Sequence, residues 1–463
     1  MPIDDFLARA LGSVHATVAL DLRDDRQSSR QREFATCAAR VLARLRVDVA
    51  EGPMLAEFRA HATEVGRSLD TRIADPKFLQ ELTHPGSASA AWFGKAVGAT
   101  RRFLDARESA VAPPRARAAA ATRGPDDLRM RLSHYLAERF PALPPDPVRS
   151  LRVVPGGRGK ETSLFEVAPN AVMPTHLVLR RDLSLSVTGS SAYAEYPLLK
   201  AVEALGLPVP SPVAAEQDPC HLGGSFLIVT EVIDAGLGGE LFAELNDLAT
   251  LHESFATDLI GALAKLHGLH EHPSGTALAG HATGSTDPLE MVRGFQHLFR
   301  GITCKPPLHV ATELGFAWLL ANPPRGGRPR RLVHGDVGLH NVLVRDGKLA
   351  AILDWELAHL GDPAEDIAYA WSPLLRHLVP WQRLRQVYLQ HGGDAESLDA
   401  HAVAWYGVWA HTRNSVYTAM HYDWAARGVR QDVECFNAGI DFFARTQLYI
   451  ARELDEAMAY VKE

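Results

Sequence analysis

The polar residues between positions 334 and 356 have the types and spacing to hold a metal-bound phosphate and to take a proton. The stretch HGDVGLHNVLVRDGKLAAILDWE places His334, Asp336 and Asn341 around the start of one apolar run, and Asp354 and Glu356 after a second. Asp346-Gly347, between the runs, is a strong hairpin-turn signal. Folding the chain there brings Asn341 close to Asp354, an amide oxygen beside a carboxylate. Hard cations such as Mg²⁺ take oxygen ligands, with substrate phosphates completing the shell. Asp336 lies in the loop that enters the first strand and brings a carboxylate from another side. One Asp to orient a hydroxyl and accept its proton, with an Asn and a second Asp on the metal, is what phosphoryl transfer requires.

Such groups need elements to position them. VVPGGRGKETSLFEV reads as strand, glycine-rich turn and strand, and Gly156, Gly157 and Gly159 would let backbone N–H groups approach phosphates without a Cβ in the way. It is not a Walker A loop, because Gly159-Lys160 is followed by Glu161 and the glycine spacing is wrong. A glycine-rich hairpin with no ligand is the alternative for this loop alone. HLVLRR (176–181) is strand-like, AYAEYPLLKAVEALG (192–206) is a helix stopped by Gly206, and SFLIVTEVI (225–233) is a buried strand. From Asp258 onward helices dominate. Upstream, Phe34, Cys37, Val41 and Leu45 recur at helical spacing, as do Trp92, Val97 and Phe103. Residues 1–110 are therefore expected to form a separate helical accessory domain, free to dock, dimerise or shape a site. VAPPRARAAAATRG lacks apolar periodicity and marks 111–125 as a linker, with a helical spacer as the alternative.

Composition sets the class. The 463 residues carry a formal charge of −7, without the basic balance that nucleic-acid binding needs. Cys37, Cys220, Cys304 and Cys435 are scattered, which fits reduced thiols in a cytoplasmic protein better than a disulfide frame or a zinc site. Asp4 and Asp5 stand where a signal peptide would be basic, and no uncharged run of ~18 apolar residues exists, so neither export nor a membrane span is expected.

These motifs, in this order, carry a resemblance. His334-Gly335-Asp336, Asn341 and Ile352-Leu353-Asp354-Trp355-Glu356 resemble the catalytic signature of the aminoglycoside phosphotransferase and choline kinase group, a branch of the protein-kinase-like fold. Gly361, Asp362, Pro363 and Asp366 match a further segment of it. The resemblance covers roughly residues 126–450, and its details lean towards the kinases associated with acyl-CoA dehydrogenases. It implies an α+β bilobal fold: a small antiparallel-sheet lobe over 126–232 and a helical lobe over 233–463. It implies Asp336 as the base, Asn341 and Asp354 as Mg²⁺ ligands, Arg180 as the phosphate cation and Glu195 as its helix partner. Backbone groups around Glu231 and Val232 would meet the base of ATP or GTP. His334 belongs to the catalytic loop, more as a brace than as a proton carrier. Asp362 and Asp366 would hold that loop and start the next helix.

Acceptor recognition in this group falls on the C-terminal helices, which makes Arg413, Asn414 and His421 candidate substrate residues. Glu356 is left between the metal site, a backbone amide and the acceptor. The histidines of LHGLHEH (266–272) lack metal-ligand spacing. The expected activity is Mg²⁺-dependent transfer to a hydroxyl of a small molecule, an aminoglycoside being one alternative acceptor. A non-catalytic nucleotide-binding scaffold is the alternative function. A protein kinase fits less well, since GDPAED follows Asp354 with no room for an activation segment.

Overall fold

The computed structural model describes residues 41, 52–73, 75–84, 86–110, 126–154, 159–183, 185–239, 251, 253–271, 287–371, 375–430 and 432–460. Phe34, Cys37, Leu45, the linker 111–125, the turn glycines Gly156 and Gly157, and His272 lie outside the described residues.

A five-stranded antiparallel sheet in the order β1-β2-β3-β5-β4 forms the small lobe. Its strands are β1 (Val148–Val154), β2 (Lys160–Val167), β3 (His176–Asp182), β4 (Pro212–Glu216) and β5 (Phe226–Thr230). Strand β5 is apolar throughout because both of its faces are covered. Phe226 and Ile228 join Leu177 and Leu179 of β3 in a cluster under a helix at Asp126–Arg139. Leu227 and Val229 face the other way, towards a helix at Ala192–Ala204. That second cluster runs on into the large lobe through Phe255, Leu259, Val342, Ile352 and Trp355, so one core joins the lobes.

The large lobe is helical. In chain order, α1 is Gly52–Ile73, α2 Pro76–Leu82, α3 Ala88–Ala110, α4 Asp126–Arg139, α5 Ala192–Ala204, α6 Glu253–His267, α7 Pro288–Gly301, α8 Val310–Ala321, α9 Ala364–Trp371, α10 Trp381–Gln390, α11 Ala400–Arg427, α12 Val433–Asn437 and α13 Phe443–Tyr460. Short strands β6 (Gly236–Leu237), β7 (Arg331–Val333), β8 (Val342–Arg345), β9 (Lys348–Ile352) and β10 (His359–Gly361) lie where the lobes meet. Among the described residues no helix is long and apolar enough to cross a membrane.

Helices α1–α3 do not stand apart from this lobe. Leu69, Phe78, Phe93, Val97 and Leu104 share one cluster with Phe299, Phe316, Trp405 and Trp409. Arg452 of α13 reaches Asp105 of α3 at 2.6 Å, and Arg101 pairs with Asp455. Over 52–110 these helices take the docked arrangement among the expected ones, sharing a core with the large lobe; helical periodicity gives a helix its apolar stripe but not the partner that covers it. Phe93→Ala is expected to cost about 3–5 kcal/mol, a buried aromatic lost to a cavity. Denaturant unfolding followed by tryptophan fluorescence should show the loss in the lobe's own transition. An unmoved midpoint would mean that α1–α3 fold independently.

Candidate active site

Strand β7 pairs with β10 and delivers the catalytic loop. Gly335 follows at φ +80°, and a Cβ there would stand 2.7 Å from Leu357 O, so backbone blocks any side chain. Gly335→Ala is expected to cost at least about 1–3 kcal/mol in strain and to displace Asp336; a thermal melt paired with an activity assay reads both effects. Asp366, buried in the first turn of α9, accepts the His334 N–H at 2.7 Å and the Gly335 N–H at 2.8 Å. His267 Nε2 lies 3.1 Å from the same carboxylate, and its Nδ1 lies 2.8 Å from the Tyr388 hydroxyl. The His334 ring is held at both nitrogens. Nδ1 accepts the Asp336 N–H at 3.2 Å and Nε2 donates to Leu353 O at 2.9 Å. Held at both ends, His334 is a brace between loop and hairpin.

Asp336 is gripped from several sides. Asn341 Nδ2 donates to its carbonyl at 2.9 Å and to Oδ2 at 2.8 Å. Both neighbours are acceptors, so the amide nitrogen faces Asp336 and Asn341 Oδ1 is turned away from it. The Tyr369 hydroxyl, which accepts Asn414 Nδ2 at 3.2 Å, is close enough to Asp336 to help lower its pKa. His340 Nε2 lies 3.3 Å from Oδ2. Burial pushes the Asp336 carboxyl up, but His340, Arg413 and Tyr369 outweigh it and hold it at about 2.

The hairpin forms as its turn residues require. Asp346 and Gly347 both have positive φ, which a two-residue type I′ turn demands. Val342 pairs with Ile352, and the Leu353 N–H donates to Asn341 O at 2.7 Å. Asp354 is the next residue, at φ +61°, a left-handed conformation that Asp tolerates better than most residues. Its carboxylate accepts Arg180 Nη2 at 2.5 Å, and Arg180 Nη1 reaches Glu195 at 2.6 Å. Burial works against the charge on Asp354, yet Arg180 and Lys160 keep its carboxyl below the usual range. Lys160 Nζ pairs with Glu356, donates to Ser190 Oγ at 3.1 Å and stands 3.5 Å from Glu195. Oxygens of Glu195, Asp354 and Glu356 lie within 4.8 Å of one another, around these two cations.

The structure therefore gathers Asp336, Asn341, Asp354, Arg180, Glu195 and Glu356 at the lobe junction. Gly159 opens β2, where a Cβ would meet Ser186 Oγ at 2.8 Å. At the hinge, the Glu231 N–H is committed to His176 O at 3.1 Å, and Val232 follows it. Glu356 faces Lys160 and Ser190, the latter hydroxyl donating at 2.8 Å. Two expected acceptor residues prove to be supports. Buried Arg413 donates to Gly335 O at 2.7 Å and pairs with Glu365 at 3.1 Å, so its guanidinium ties α11 to the catalytic loop. Asn414 stands behind Tyr369. His421 is buried, with Nδ1 against Tyr417 O at 2.9 Å and its ring against Trp424. Sequence reasoning missed Lys160, His340, Tyr369 and Glu365. Tyr369 carried a signal, lying three residues after Asp366 on one helix face.

Residues 150–406 match the profile of the phosphotransferase enzyme family, APH. The chain belongs to that family. Acyl-CoA dehydrogenase family member 11 of Gallus gallus is 26% identical over 245 residues, 52% of this chain but 30% of that protein, so the phosphotransferase chain spans less than a third of its relative. Hygromycin-B 4-O-kinase of Escherichia coli is 42% identical over 48 residues, 10% of this chain and 14% of the other. A Ralstonia eutropha protein assigned to the aminoglycoside phosphotransferases has the same fold, with a TM-score of 0.51 and 16% identity over 70% of this chain and 98% of that one.

Proposed function

We propose that this phosphotransferase moves the γ-phosphoryl group of ATP or GTP to a hydroxyl of a small acceptor, with Mg²⁺ at the lobe junction. The observation that carries the reading is the Asp336 constellation: a buried carboxylate held by Asn341 and set against His340, beside the hairpin that presents Asp354. Asp336 would orient the acceptor hydroxyl and take its proton as the oxygen–phosphorus bond forms and the bond to the leaving nucleoside diphosphate breaks. A carboxyl held at about 2 is a weak base, so the proton passes late and positioning dominates.

The residues present fit the metal. With its nitrogen turned to Asp336, Asn341 has its oxygen to offer, and Asp354 offers a carboxylate from the paired strand. Mg²⁺ bound there would neutralise phosphate charge. The base of the nucleotide would lie against Glu231 and Val232, and the phosphates near Gly159. Nothing at this site calls for nucleic acid or a membrane surface. A homodimer or partner contact through the N-terminal helices remains part of the proposal, with α1–α3 as the candidate surface.

The test is a screen of hydroxylated metabolites, aminoglycosides included, reading release of ADP or GDP. Release that depends on an acceptor supports the reading. Release with no acceptor in any Mg²⁺–nucleotide mixture, or none at all, contradicts it.

A further inference from the structure

The β2–β3 register puts two cations on the cleft face of the sheet. Thr162 stands opposite Arg180 and Lys160 opposite Asp182. Residues two apart on a strand share a face, so Lys160 projects from the same side as Thr162 and its cross-strand partner Arg180. Arg180 occupies the strand position where a phosphate cation is expected, and each of its two terminal nitrogens holds a carboxylate and keeps a further N–H to donate. One holds Glu195 at 2.6 Å and the other Asp354 at 2.5 Å. A planar fork used in this way ties helix α5 to the metal hairpin.

Lys160 is placed differently. It follows Gly159 directly, as the first residue of β2, and its side chain is 5% exposed. A lysine is seldom so buried unless paired. Its partners are the Glu356 carboxylate, the Ser190 hydroxyl and, at 3.5 Å, Glu195. The ammonium is a compact charge on a flexible stem, able to change partners where a locked guanidinium is not. Burial alone would lower its pKa, but Glu195 and Glu356 raise it, so the group stays charged.

We propose that Lys160 is a second phosphate-contacting cation of this chain, on the cleft face beside Arg180. The inference rests on the nucleotide reading above. When a triphosphate binds, Lys160 exchanges Glu356 for a phosphate oxygen.

The test treats the full chain with acyl-phosphate derivatives of ATP and GTP, which acylate amines beside a bound polyphosphate. Peptide mass spectrometry should find the label on Lys160, and excess unmodified nucleotide should suppress it. In parallel, Lys160→Gln should weaken triphosphate binding by about ten- to hundredfold, as loss of a charge-assisted contact implies. Binding of the bare nucleoside should stay as in the wild type, and Lys160→Arg should restore part of the loss. A wild-type protein that binds triphosphate, leaves Lys160 unlabelled and tolerates Lys160→Gln would overturn the inference. A wild-type protein that binds neither nucleotide would overturn the nucleotide reading itself.

Discussion

Asp336→Asn should lower the rate of phosphoryl transfer by about 10²- to 10⁴-fold, the usual scale for losing a positioned proton acceptor, while nucleotide affinity changes only a few fold. The substitution preserves shape. An amide oxygen can still accept from Asn341 Nδ2, and the bond from Asn341 Nδ2 to the residue's own carbonyl is untouched, so the loop should keep its path. What disappears is the negative charge that orients the acceptor hydroxyl and receives its proton. Single-turnover transfer with a confirmed acceptor, set beside equilibrium nucleotide binding, separates the two effects. Turnover equal to wild type would remove Asp336 from the mechanism. Because its carboxyl is held at about 2, Asp336 is ionised throughout the neutral range, and any acid limb near neutrality must come from another group.

A large loss of stability, coupled to loss of activity, is expected at Asp366. Its carboxylate accepts the His334 and Gly335 N–H groups and faces His267, all out of solvent. Asp366→Ala leaves those buried groups without their acceptor, and removing one member of a buried ionic network costs about 3–5 kcal/mol. Urea unfolding would measure the loss, and activity should fall with it because Gly335 and Asp336 lose their anchor. Burial opposes the Asp366 charge, but His267 and His334 outweigh it and depress the pKa. The sign follows from linkage. A depressed carboxyl contributes stability that is fully present above its unfolded pKa, about 3.9, and is lost as pH falls through the folded value. Asp336 adds in the same sense, down to about pH 2. Asp366→Ala should therefore weaken the acid dependence of stability between about pH 4 and the folded pKa; an unchanged acid profile would contradict the role of Asp366.

The legible parts of this molecule are those where local chemistry dictates geometry. Asp346-Gly347 specifies a two-residue turn, and a one-residue register shift between Leu343 and Val344, which the sequence does not announce, completes the alignment that puts Asn341 beside Leu353 and next to Asp354. The apolar run of β5 signals two covered faces, and both are covered. The acceptor side was less legible because helix α11 buries polar groups as well as apolar ones. The family resemblance makes Arg413 a candidate to meet a substrate, and only the packing of α11 against α9 shows its bonds to Gly335 and Glu365. Lys160 was hidden for a similar reason. Its partner Glu356 lies 196 residues away, so a lysine after a glycine turn reads as a solvated charge until the lobes close over it. The docking of α1–α3 was likewise beyond a helical period, which says that a face is buried without saying against what.

The account depends most on a metal-assisted nucleotide site at the hairpin, and calorimetric titration tests it directly. ATP and GTP are titrated into the wild type and Asp354→Ala, each with and without Mg²⁺. The wild type should bind at least one nucleotide more tightly with Mg²⁺, and Asp354→Ala should lose that gain. Binding that is indifferent to Mg²⁺, or a gain that survives in Asp354→Ala, would contradict the site.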